Sequence, residues 1–169
     1  MKSSKSINLY LIVAVTLLVG LMLDILPLPT SINWLAPHWS LLILVFWIMQ
    51  MPFLVNVCAA FITGILLDLL KGSLLGEHAF ALVVVAYLVV KTYRLFAKQS
   101  VLQQSFFIFG FTLIYQIIIV VINAIIGQLH FSWLFWLAAI TSAIFWPLVS
   151  VLLCSLRKIF KCFNEIICI

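Results

Sequence analysis

Two carboxylates stand inside strongly apolar sequence: Asp24 closes "GLMLD" (20–24) and Asp68 closes "GILLD" (64–68). Two acids at similar depth in a membrane could share one proton, the arrangement an aspartyl intramembrane protease needs. The GxGD motif of that class is absent, and acids in unusual surroundings are more often structural than catalytic. His38, His78 and His130 are scattered, without the HxxxH or HxxE spacing that sets metal ligands on one helix face. They read as outer-loop histidines. Cys58, Cys154, Cys162 and Cys168 form no CxxC pair and read as small apolar side chains or free thiols. No phosphate-binding or nucleophile motif occurs. The expectation is a protein with no catalytic residues, no metal ligands and no cofactor.

The solvent around those acids follows from composition. Of 169 residues 67% are hydrophobic and 8% charged, with a mean hydropathy of +1.36. That leaves too few polar side chains to cover a soluble domain. The chain reads as an all-α membrane protein, one transmembrane domain over 1–169. A spanning helix needs about 20 apolar residues. Helices are predicted over about 7–26, 39–50, 53–70, 79–97, 101–126 and 131–156, with a basic interfacial tail over 157–169. The first is too long for a cleaved signal peptide and no A-x-A site follows it. The break at Gln50–Pro52 divides 39–70 into two helices, because proline removes a donor and disfavours helix just before it.

Charge supports six crossings with both termini cytoplasmic. The inner flanks then hold Lys2, Lys5, Lys91, Arg94, Lys98, Arg157, Lys158 and Lys161, and the outer side Lys71 alone. A single crossing over 39–70 would move the Lys91–Lys98 cluster outside. The net charge of +5 thus describes flanks beside anionic membrane lipid, not a nucleic-acid site. Trp34, Trp39, Trp133 and Trp136 fit an outer aromatic belt.

Small and polar residues recur at helical spacing. Thr16, Gly20 and Asp24 share a face of helix 1; Asn56, Ala60, Gly64 and Asp68 share one of helix 3; Thr112, Gln116, Asn123 and Gly127 run along helix 5. Such stripes let membrane helices approach closely and hydrogen-bond. The plain account is internal packing. The functional account is that one stripe faces a partner, so Gly20→Leu or Asn123→Leu would abolish co-purification at normal protein level. Asp68 falls near the outer end of helix 3, with Lys71 in reach of an ion pair, Gly72 suited to a helix terminus, Gly76 allowing a bend and Glu77 opening helix 4. Burial of Asp68 against Gly64 would make Gly64→Leu as damaging as Asp68→Leu. Asp24→Asn and Asp68→Asn should be tolerated if hydrogen bonding alone matters.

Several stretches resemble one family. "APHWSLLILVFWIMQMPFLVNV" (36–57), "FITGILLDLLKGSLLGEHAFAL" (61–82), "VAYLVVKTYRLF" (85–96), "VLQQS" (101–105) and "AIFWPLVSVLLCSLRKIF" (143–160) look like the rod shape-determining protein MreD family, nearly end to end. Gly64, Asp68, Gly72, Leu75 and Gly76 match its G-x3-D-x3-G-x2-LG pattern. Trp39, Trp47, Pro52, Asn56, Gln104, Trp146 and Pro147 add to the likeness. Ala36 stands where the family usually has arginine, and Phe53 where a basic residue usually follows the proline. The resemblance implies a non-enzymatic subunit of the rod (elongation) complex in the bacterial cytoplasmic (inner) membrane. Such a subunit would bind MreC and act with MreB, RodA and a penicillin-binding transpeptidase in peptidoglycan synthesis. It also implies a six-helix fold like the substrate-binding subunits of energy-coupling-factor vitamin transporters. The alternative function is such a transporter subunit, although the AxxxA pattern of its first helix is missing, since Leu18 follows Ala14.

Overall fold

The computed structural model describes residues 2–26, 35–52, 55–96, 99–127 and 136–166, with side chains from Tyr10 to Lys158. Six helices form in the described residues: α1 (Lys2–Ile25), α2 (Trp39–Gln50), α3 (Val57–Lys71), α4 (Glu77–Phe96), α5 (Val101–Ile126) and α6 (Leu137–Ile166). Helix α3 starts later than predicted, because Asn56 caps it, accepting from the Cys58 N–H at 3.1 Å. Helix α4 starts earlier, at Glu77. The predicted tail does not separate as an element, since α6 continues through it to Ile166. Trp34, His130, Trp133 and the predicted helix start at 131–135 lie outside the described residues.

Helix α2 explains the arrangement. Its residues from Ser40 to Ile48 are all buried, and a helix apolar on every face belongs inside protein. It packs against α1, α4 and α6, while α3 lies against α1 and α4, and α5 lies between α4 and α6. At 1.5 Å per residue α2 is about 18 Å long, short of the roughly 30 Å hydrocarbon core. Its neighbours supply the length: 77–96, 101–126 and 137–158 are each long and apolar enough to cross a membrane. Their outward side chains are apolar, as at Leu102 (80% exposed), Phe106 (78%) and Ile125 (81%). Water penalises that surface and lipid accepts it. The chain is a helical membrane protein.

In lipid each buried N–H needs an internal partner. The indole of Trp47, at the centre of α2, donates to Thr16 Oγ1 of α1 at 2.8 Å. The indole of Trp146 on α6 donates to Gln104 Oε1 of α5 at 3.3 Å. The helices alternate in direction, so the bundle has two unlike ends. Asp24, Asp68 and Glu77 gather at one, the acidic end. Gln50, Gln104 and Arg157 mark the other, the basic end, with Lys91, Arg94 and Lys158.

Candidate functional site

Each of the two acids holds the start of the next helix. The Asp24 carboxylate accepts the Trp39 N–H at 2.8 Å and the Ser40 N–H at 3.0 Å, the first amides of α2. Asp68 does the same for α4: its oxygens accept from Gly76 N at 2.8 Å, His78 N at 2.9 Å and Ala79 N at 3.3 Å, and from Ser73 Oγ at 3.1 Å. The first amides of a helix have no partner within it and carry its positive dipole end, so a carboxylate there suits both needs. Asp68 is 1% exposed, whereas Lys71 is exposed. The predicted Asp68–Lys71 turn pair therefore gives way to a cap reaching into the following helix.

The glycine four residues before each acid lies at the approach of the same helix. A Cβ on Gly64 would fall 2.2 Å from Ala79 Cα and 2.8 Å from Ala79 N. A Cβ on Gly20 would meet Ile43 Cδ1 at 2.8 Å and Ser40 Cα at 3.4 Å. Both G-x3-D segments thus work alike, with a glycine against the next helix and an acid capping it. Gly72 (φ 63°) ends α3 in the left-handed conformation that glycine favours, and Gly76 (φ 105°) lets the chain turn into α4.

Between these caps lies a polar group that the sequence does not single out as a unit. The Tyr115 hydroxyl lies 2.8 Å from His78 Nδ1, and its ring meets His38 edge-on at 4.9 Å. Gln116 Nε2 is 3.5 Å from His38 Nε2. The His38 N–H donates to Ser142 Oγ of α6 at 3.1 Å. Asn123 Nδ2 donates to Glu77 Oε1 at 2.6 Å, tying α5 to α4. His78 is buried in the first turn of α4 and so belongs to the bundle, whereas His38, half-buried, stands in the loop that leads into α2. Desolvation, then the nearby positive charge of Lys71 and then His78, push the His38 imidazole down to about 3, so it is neutral. The one legible signal was position: His38 adjoins Trp39, and Tyr115 adjoins Gln116.

The predicted stripes turn inward over most of their length, although Gly127 is the exposed cap that ends α5. Gly20 and Asp24 meet α2, Gly64 and Asp68 meet α4, Asn123 meets Glu77, and Gln116 is buried beside His38. The hydrogen bonds described for the two acids run to helix starts and to Ser73, not from one acid to the other. Among the described residues no three His, Cys, Asp or Glu side chains gather as a metal site requires. What the geometry does chemically is satisfy backbone donors and lock hairpins together in a solvent that offers no alternative partner.

The family model described as rod shape-determining protein MreD matches residues 4–156. A curated relative, the rod shape-determining protein MreD of Haemophilus influenzae, is 29% identical over 140 residues, which are 83% of this chain and 86% of its own. No solved structure matches the chain. The family model spans both acid-capped hairpins and most of α6, so the chain belongs to the MreD family of rod shape-determining proteins.

Proposed function

We infer that this protein is a non-enzymatic membrane subunit of the bacterial cell-elongation (rod) complex, a scaffold that binds MreC and acts through it with MreB, RodA and a penicillin-binding transpeptidase. The observation that carries this reading is the family match over 4–156, since the family is defined by rod shape. The two acids add support, because each is engaged as a helix cap. Neither comparison supports the vitamin-transporter alternative. The reading includes six crossings of the inner membrane, both termini cytoplasmic, and an architecture like that of energy-coupling-factor subunits. The basic end then faces the cytoplasm, as the distribution of lysine and arginine demands. Reporters fused after Lys98 and after Lys161 should read cytoplasmic and one at His130 external; a cytoplasmic signal at His130 would sink the topology.

With the polar stripes used internally, the partner must meet another surface. An apolar recess of about 350 Å³ separates α1 from α3, lined by Val13, Ala14, Leu17, Ala59, Ile62 and Thr63. Small residues along a lipid-facing recess suit close contact with a partner's transmembrane helix. Depletion of this protein should round rod-shaped cells, and an MreC-like protein should co-purify with it. Ala14→Phe, at an exposed position, should weaken that co-purification at unchanged protein level, and Ile125→Phe on α5 should not. Rods that keep their shape after depletion would overturn the reading; full co-purification with Ala14→Phe would remove the recess from it.

A further inference from the structure

A second cavity, also of about 350 Å³, opens at the basic end between α2, α5 and α6. Its walls combine apolar Phe46, Val101 and Val151 with polar Gln50, Gln104 and Ser150. Val101 (43% exposed) and Val151 (63%) lie on the lipid-facing surface, so the cavity opens sideways into the surroundings of the bundle. Two of the polar groups are held in place: Gln104 Oε1 accepts the Trp146 indole, and its amide donates to the Gln99 carbonyl at 3.2 Å. Arg157, one turn beyond Cys154 of the lining, donates a guanidinium N–H to Gln50 Oε1.

That bond joins a cation to a neutral amide. Of the acids, Asp24, Asp68 and Glu77 lie at the opposite end of the bundle, and Glu165 stands on α6 two turns beyond Arg157. Lys158 follows Arg157, and Lys91 and Arg94 carry the same charge on α4. An apolar, side-opening chamber with an arginine bonded to Gln50 of its wall matches one ligand chemistry: an acyl chain joined to an anionic head group. A guanidinium takes a phosphate through two parallel N–H donors, and basic pockets between helices at a membrane face hold anionic lipids. The volume falls within the range of small-ligand sites.

The geometry points to a binding site for an anionic phospholipid in the α2–α5–α6 cavity, its phosphate on Arg157 and an acyl chain against Phe46, Val101 and Val151. This inference rests on the bundle lying in a bilayer and not on the MreC partnership, so either can fail alone. An annular lipid there would brace α2 against α5 and α6 at the end away from the acid caps.

The test uses the full chain purified in detergent, with native mass spectrometry and thermal melting after addition of dioleoyl phosphatidylglycerol or dioleoyl phosphatidylcholine. The wild type should retain one phosphatidylglycerol and melt higher with it than with phosphatidylcholine. Arg157→Gln should lower phosphatidylglycerol occupancy about fivefold, the effect of one basic residue near an anionic surface. Ser150→Leu, which narrows the chamber without changing charge, should also lower it, and Arg94→Gln, on the exposed flank, should leave it unchanged. A wild type that does not distinguish the two lipids would overturn the site. Full phosphatidylglycerol retention in Ser150→Leu would do the same, because binding would then be surface attraction alone. If inorganic phosphate reproduces the stabilisation, the ligand is a free anion and the lipid proposal fails.

Discussion

Gly64→Ala should lower both steady-state abundance and melting temperature sharply, while Gly20→Ala leaves them close to wild type. The two glycines hold the same place in the same five-residue pattern, so sequence alone predicts equal sensitivity. What differs is the atom each added methyl would strike. At Gly64 it is backbone, Ala79 Cα at 2.2 Å and Ala79 N at 2.8 Å. Relief would require moving α4, whose His78 and Ala79 amides are fastened to Asp68. At Gly20 the tightest contact is the terminal methyl of Ile43, which can rotate away. Overpacking a tight core costs about 1–3 kcal/mol, and a backbone clash with no escape belongs at or above the top of that range. Gly110→Ala is the control, since nothing lies within 4 Å of its added carbon. Melting of the purified variants in one detergent, with immunoblots of cells, reads the contrast. Equal losses at Gly20 and Gly64, or none at Gly64, would contradict the packing described. By the same geometry Gly20→Leu should act on folding and not selectively on a partner.

Asp68→Asn should be destabilising, Asp68→Leu more so, and Asp24→Asn less than either. This reverses the expectation that amides would serve in both places. Asp68 receives four donors on two oxygens. Asparagine keeps one oxygen and turns an NH2 group towards amides that are themselves donors. Each buried donor left without an acceptor costs about 1–3 kcal/mol, and leucine leaves all four. Asp24 serves the two amides of Trp39 and Ser40, so its amide variant loses less. Abundance, melting temperature and cell shape should fall together in that order. If Asp68→Asn cells lost their shape while the protein stayed abundant and melted normally, capping would not explain the acid and an enzymatic role would return.

Much of the architecture was legible. Apolar runs separated by Pro27, Pro29 and Pro52 and by the glycines at 72, 76 and 127 marked six helices, because a chain in lipid must close its backbone hydrogen bonds locally along each run. The gathering of lysine and arginine at alternate helix ends is the basis of the topology proposed above. The resemblance to the MreD family was readable in "GILLDLLKGSLLGEHAF", and the family match covers that stretch. Periodicity also determined that Gly64 and Asp68 share a helix face, and likewise Gly20 and Asp24.

Only the tertiary structure decided what those faces meet. The donors for Asp68 include amides 8 to 11 positions ahead and those for Asp24 lie 15 to 16 ahead. A backbone amide is the same in every residue, so no side-chain pattern marks which ones an acid will cap. The His38–Tyr115–His78 contacts and the Glu77–Asn123 bond join positions 37 to 77 residues apart, and they exist because the starts of α2 and α4 lie beside the C-terminal half of α5. Helix periodicity sets the direction of a side chain about its own axis. The neighbour in that direction is set by how the six helices pack together, and that is a property of the whole bundle.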